Sequence, residues 1–165
     1  MDRLNISSGT PWEAIAGYSR AVRVGNHVHV SGTTASDELG NAVGDDTYSQ
    51  ACYALGKIAA ALDQAGARLE DVVRTRVYVS DITNWEAAAR AHGEVFAAIR
   101  PANTLLEARL VAGRLVEIEA EAIVGAGGAP GARASAGSGA KWGAGAPAEA
   151  RPAGGPAGAK WGARH

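Results

Sequence analysis

The residues best suited to chemistry fall on alternate positions of three short runs. Arg74, Arg76 and Tyr78 alternate with Val73, Thr75, Val77 and Val79; Glu117, Glu119 and Glu121 alternate with Ile118, Ala120 and Ala122; His27, His29 and Ser31 alternate with Val28 and Val30. Successive side chains of an extended chain take opposite sides. Each run therefore has an apolar side and a side bearing groups that move protons or hold anions. Arg76 and Glu119 are suited to pair with one another. Ser31 and Thr33 share one side by the same counting and place two hydroxyls at a strand end. His27 and His29 also share a side, but two His without a third ligand are a weak zinc signal, and no metal is expected. Cys52 is the single cysteine, which excludes an internal disulfide and a multi-cysteine metal site. No Ser-His-Asp order, Gly-rich phosphate loop or helical metal motif occurs, and no cofactor is expected.

These positions need a sheet to hold them. Residues 20–24 and 27–31 alternate around Gly25-Asn26, the pattern of a hairpin. Residues 32–44 read as loop. Asp45 and Asp46 are candidate N-caps for a helix reaching about Ala65, with Ala51, Leu55, Ile58, Ala59 and Leu62 at helical spacing and Gly66 as the stop. The alternation at 72–80 predicts a strand, 84–99 a second helix closed by Pro101, and 103–108 and 115–124 two further strands. The order ββαβαββ predicts an α+β fold, one mixed sheet with both helices on its apolar face. The opposite face mixes Arg, Glu, His and Tyr. By itself this pattern leaves two readings open, solvent surface or a face covered by other subunits.

The chain has 165 residues, 47% of them hydrophobic and 20% charged, enough for one domain and a tail. Composition changes after Val124. Residues 125–165 contain 14 Ala, 12 Gly and 4 Pro, too little apolar surface to offset the entropy of ordering, so this segment is expected to be a disordered tail. It carries five Arg or Lys against Glu149, or +4. Residues 1–124 then hold 11 basic and 16 acidic side chains, or −5. The tail repeats Gly-Ala-Lys-Trp-Gly-Ala at 139–144 and 158–163. An acidic domain without a basic stripe argues against a nucleic-acid partner. No run approaches the ~20 apolar residues of a membrane span, and no signal-like run follows Met1. The expectation is a cytoplasmic protein.

Gly17-Tyr18, Val30-Ser31-Gly32, Val77-Tyr78-Val79-Ser80-Asp81, Arg100-Pro101-Ala102 and Val116-Glu117-Ile118-Glu119-Ala120 occur in order on these elements. In this the chain resembles the RidA/YjgF family, also described as endoribonuclease L-PSP, over residues 10–124. The resemblance implies a chorismate-mutase-like fold and a homotrimer with clefts between subunits, its polar sheet faces lining interface and cleft. It implies a small-molecule substrate and, as the family's best-known activity, hydrolysis of imines and enamines to a 2-oxo acid and ammonia. By position, Glu119 matches the Glu that places water and Tyr18 a cleft tyrosine. Ser31 and Thr33 stand where ligand contacts are made, and Thr104 adds a hydroxyl. Active members clamp the substrate carboxylate with an Arg in a Pro-Ala-Arg-Ser-like run. Here the run is Pro101-Ala102-Asn103-Thr104. Asn103 is short and neutral and cannot make that bidentate charged contact, so weak or no 2-aminoacrylate deaminase activity is expected. The alternative to an enzyme is a non-catalytic, metabolite-binding or chaperone-like trimer.

Overall fold

Alternation of apolar and polar residues folds this chain into one six-stranded sheet. The computed structural model describes residues 2–111 and 113–128; the Lys-Trp repeats and nearly all of the expected tail lie outside the described residues. The elements are β1 (Arg3–Ile6), α1 (Pro11–Ala16), β2 (Ala21–Val24), β3 (His27–Thr34), α2 (Thr47–Gln64), β4 (Val72–Val79), α3 (Trp85–Phe96), β5 (Ala102–Glu107) and β6 (Val116–Ile123). The sheet order is β1-β2-β3-β6-β4-β5. Only β4 and β5 run parallel, because α3 crosses between them.

The apolar sides of β3, β4 and β6 bury Val28, Val30, Val77, Val79, Val116, Ile118, Ala120 and Ala122. Against them α2 packs Leu55, Ile58 and Leu62, and α3 packs Ala88, Ala91 and Phe96. Each large side chain so buried contributes roughly 1.5–3 kcal/mol. The Asp46 carboxylate accepts from Ser49 N at 2.7 Å, and Asp46 N donates to Ser49 Oγ at 3.3 Å, which caps α2 reciprocally. The β2–β3 hairpin pairs Val24 with His27. Its positive φ, 61°, falls on Gly25 and not Asn26, as a type II′ turn requires.

The expected order ββαβαββ lacks two elements. β1 is four residues long with one buried side chain, Ile6, too short for an alternation signal. α1 has no buried residue and so no helical periodicity. It starts at Pro11 after an extended Thr10 and stops at Gly17, whose φ of 67° only glycine adopts readily. α3 ends at Phe96 rather than 99, as the Ile99 and Arg100 amides both turn back onto the Phe96 carbonyl. Contacts run past the composition change at 124. Buried Asp71 accepts from the amides of Gly125 at 3.0 Å and Gly127 at 3.1 Å, and its other oxygen accepts from Arg68 N at 3.0 Å. Among the described residues no helix is long and apolar enough to cross a membrane.

Candidate functional site

A bulge in β3 shapes the site. Val30 pairs with Ala120 and Thr33 with Ile118, so Ser31 and Gly32 together face the single position of Glu119. The extra residue overturns the expectation that Ser31 and Thr33 share a side. Thr33 joins the buried side at 1% exposure. Its hydroxyl donates to Ser31 O at 2.7 Å and accepts from Arg20 Nη1 at 2.8 Å, so it supports Arg20 from beneath. The Ser31 hydroxyl turns to Ser19 O at 2.8 Å, which ties the bulge to the strand entry after Tyr18.

The bulge also brings Glu117 to the front of a cavity. Thr34 pairs with Glu117 across β3 and β6, and Gly32 leaves room for the carboxylate, since a Cβ built at Gly32 would overlap it. The cavity holds about 520 Å³, the size of a small metabolite site. Tyr18, Arg20, Gly32, Lys57, Arg114 and Glu117 are among its lining residues. Arg20 Nη1 donates to Gly32 O at 2.8 Å, and Nη2 reaches the Tyr18 hydroxyl at 3.4 Å, with the guanidinium 5.7 Å from the ring centre. Arg20 is the donor to Tyr18, which leaves the phenol proton for a ligand. The Glu117 carboxylate has no hydrogen-bond partner among the described residues. Burial pushes its pKa up, partly offset by Arg20 and reinforced by Glu119. A carboxylic group so placed is suited to general acid–base work.

Gly32→Ala tests the fit of this pair. The clashing atom is the end of a flexible side chain, so the expected result is a folded protein with a displaced Glu117. A misplacement of that order costs about a hundredfold in turnover. Denaturant unfolding close to wild type together with that loss in a turnover assay is the expected pattern.

The single chain does not gather the expected site. Glu119 does not line the cavity. It accepts from Arg76 Nη1 at 3.0 Å and from the Tyr78 hydroxyl at 2.9 Å, and Arg76 also reaches Glu121 at 3.0 Å. Asn103 lies in β5, the edge strand, four places from β2. At about 4.8 Å per strand, it stands roughly 19 Å across the sheet from the strand that follows Tyr18. Its Nδ2 donates to Thr75 Oγ1 at 2.9 Å, and that hydroxyl bonds His92 Nε2 at 2.9 Å. Asn103 therefore sits on the side of buried Thr75, while Thr104, in register with Arg76, sits on the other. Sequence reasoning missed Glu117, Arg20, Lys57 and Arg114 as cavity residues. Glu117 belongs to the same alternating run as Glu119, and only the pairing with β3 separates the two. Among the described residues no group of three metal-ligating side chains converges.

Comparison with known proteins fits this fold. The family model described as endoribonuclease L-PSP matches residues 9–124. The chain belongs to this family, the RidA/YjgF family. It is 40% identical over 126 residues to a Streptomyces coelicolor protein, SCO2049, covering 73% of this chain and 92% of that one. It is 33% identical over 118 residues to the 2-iminobutanoate/2-iminopropanoate deaminase of Salmonella typhimurium, covering 67% and 89%. The crystal structure of Rv2704 from Mycobacterium tuberculosis, of the YjgF/YER057c/UK114 family, superposes with a TM-score of 0.69 at 49% identity, covering 74% of this chain and 100% of that one.

Proposed function

We propose that this protein is a small-metabolite hydrolase that converts an imine, or an enamine through its imine tautomer, to a carbonyl compound and ammonia. The observation that carries this is the Glu117 carboxylate, half-buried, unpartnered among the described residues and facing a metabolite-sized cavity beside Tyr18. An imine carbon is already electrophilic, so the protein has to place water and move protons. Glu117 takes a proton from the attacking water as its oxygen bonds to the carbon of the protonated imine, giving a neutral carbinolamine. It returns that proton to nitrogen, and ammonia leaves as the C=O bond forms and the carbinolamine hydroxyl gives its proton to Glu117. The Tyr18 hydroxyl donates to the substrate and orients it. Glu117 takes the role that resemblance gave to Glu119, while Glu119 orders the Arg76–Tyr78 face. The Salmonella relative's name supplies the chemistry, and the missing clamp at Asn103 makes short 2-imino acids poor substrates.

The same reading takes the assembly to be a cytoplasmic homotrimer. Ser31 helps to shape the cleft wall of one subunit, and the edge strand β5, with Asn103 and Thr104 on its opposite sides, borders the cleft from a neighbour. The Arg76, Glu119 and Glu121 cluster suits an interface. Light scattering of the purified chain is expected to give about three times 16.7 kDa at micromolar concentration; a monomer mass excludes the two-subunit cleft. The function is tested by ammonia release from a panel of imines generated in situ by an amino-acid oxidase. Acceleration of at least one imine over the uncatalysed rate is expected. Failure across the whole panel rejects the hydrolase in favour of a metabolite-binding trimer.

A further inference from the structure

One end of the cavity takes no part in this hydrolysis. At that end Lys57, from α2, and Arg114, from the turn before β6, converge on Ser36. Lys57 Nζ donates to Ser36 O at 2.8 Å, Arg114 Nε donates to Ser36 Oγ at 2.9 Å, and Arg114 Nη2 holds Gly40 O at 2.6 Å. An ammonium carries three donors, of which Ser36 takes one. Among the described residues Lys57 has no carboxylate within salt-bridge reach. Asp37 also lines the cavity, but its oxygens accept from Leu39 N, Asn41 N and Asn41 Nδ2 and close their own turn. The lining thus holds three cations, Arg20, Lys57 and Arg114, against Asp37 and Glu117, in a domain of charge −5. Burial and the two guanidinium groups lower the Lys57 pKa, with Asp37 opposing them in part, a repulsion that a bound anion relieves. Lys57 meets the chain at Ser36 O, whereas the Glu117 carboxylate lies against Gly32, four residues earlier, so the ammonium and the carboxylate are held at different points of the cavity wall.

We propose that this end of the cavity is an anion subsite, where Lys57, with Arg114 beside it, takes the distal carboxylate or phosphate of a small ligand. The position of the ligand's reacting carbon at Glu117 rests on the hydrolase reading, but anion capture does not. The subsite recognises charge from within one protomer, without the β5 position that Asn103 occupies. It selects ligands longer than three or four carbons, with an acidic group far from the imine.

The test is calorimetric titration of the full-length protein with glutarate and with inorganic phosphate. At least one of them is expected to bind wild type, and to bind Glu117→Gln at least as tightly. Glutarate alone points to a dicarboxylic ligand, and phosphate alone to a phosphorylated one. Lys57→Met is expected to weaken binding about ten- to a hundredfold, with Lys57→Arg restoring part of it. Should Lys57→Met fail to fold by circular dichroism, Lys57→Gln takes its place. No binding of either anion to wild type, or equal binding to the Lys57 variants, overturns the subsite. Ammonia release by Glu117→Gln is scored separately. If it persists while the anion results hold, the role of Glu117 as the base fails and the subsite stands; if wild type releases no ammonia from any imine while it binds the anion, the hydrolase reading fails and the subsite stands.

Discussion

Glu117→Gln is expected to lower imine hydrolysis by about 10²- to 10⁴-fold, the usual contribution of a positioned general base. Glutamine keeps the shape against Gly32 but cannot accept the proton of the attacking water. Glu119→Gln is the control. It loosens the Arg76–Tyr78 cluster, and its effect on turnover is expected to stay within about tenfold. The pH profile separates the two further. Burial raises the Glu117 pKa above the ordinary 4.5. The acid limb of the rate, where the base becomes protonated, therefore lies higher in wild type than an ordinary glutamate would put it and disappears in Glu117→Gln. The stability effect has the matching sign. A carboxyl whose folded pKa is raised ionises first in the unfolded chain, so stability falls as pH rises between the unfolded and folded values. Glu117→Gln removes that decline. Equal losses in the two variants, with an unmoved acid limb, would return the base to Glu119.

Asn103→Arg is expected to raise hydrolysis of short 2-imino acids by about 30- to 1,000-fold. A bidentate ionic clamp on the substrate carboxylate supplies about 2–4 kcal/mol in a desolvated cleft, and each 1.36 kcal/mol is tenfold in rate. The substitution removes the bond from Asn103 Nδ2 to Thr75 Oγ1, which costs about 1 kcal/mol of stability and is read separately by denaturant unfolding. Single-substrate kinetics of both proteins check the rate. Wild-type turnover of these acids equal to that of an Arg-containing relative would refute the part assigned to Asn103. A ligand with a distal acidic group gains less from the new Arg, because Lys57 already meets its charge.

The sheet was legible in the chain because alternation reports burial directly. Val28 and Val30, Val77 and Val79, and Ile118, Ala120 and Ala122 are core residues on the sides that period-two counting assigns them. The cap at Asp46 and the Gly25-Asn26 hairpin are equally local, each set by residues within four positions of one another. Arg76 meets Glu119 as counting along two strands suggests. Counting fails where one strand gains a residue. The bulge at Ser31-Gly32 sends Thr33 into the core and opens a slot for Glu117, and no feature of 27–34 alone carries that information, since the register is set by β6. The choice between Glu117 and Glu119 is likewise a matter of which neighbour each meets across the sheet. Arg20, Lys57 and Arg114 come from a strand entry, a helix and a turn that are far apart in sequence, and only packing of α2 and the 35–44 loop around Ser36 brings their charges into one cavity. Local periodicity determined the elements and their faces. Long-range pairing, with the close approach that Gly32 permits, decided which carboxylate faces the cavity and which cations it meets there.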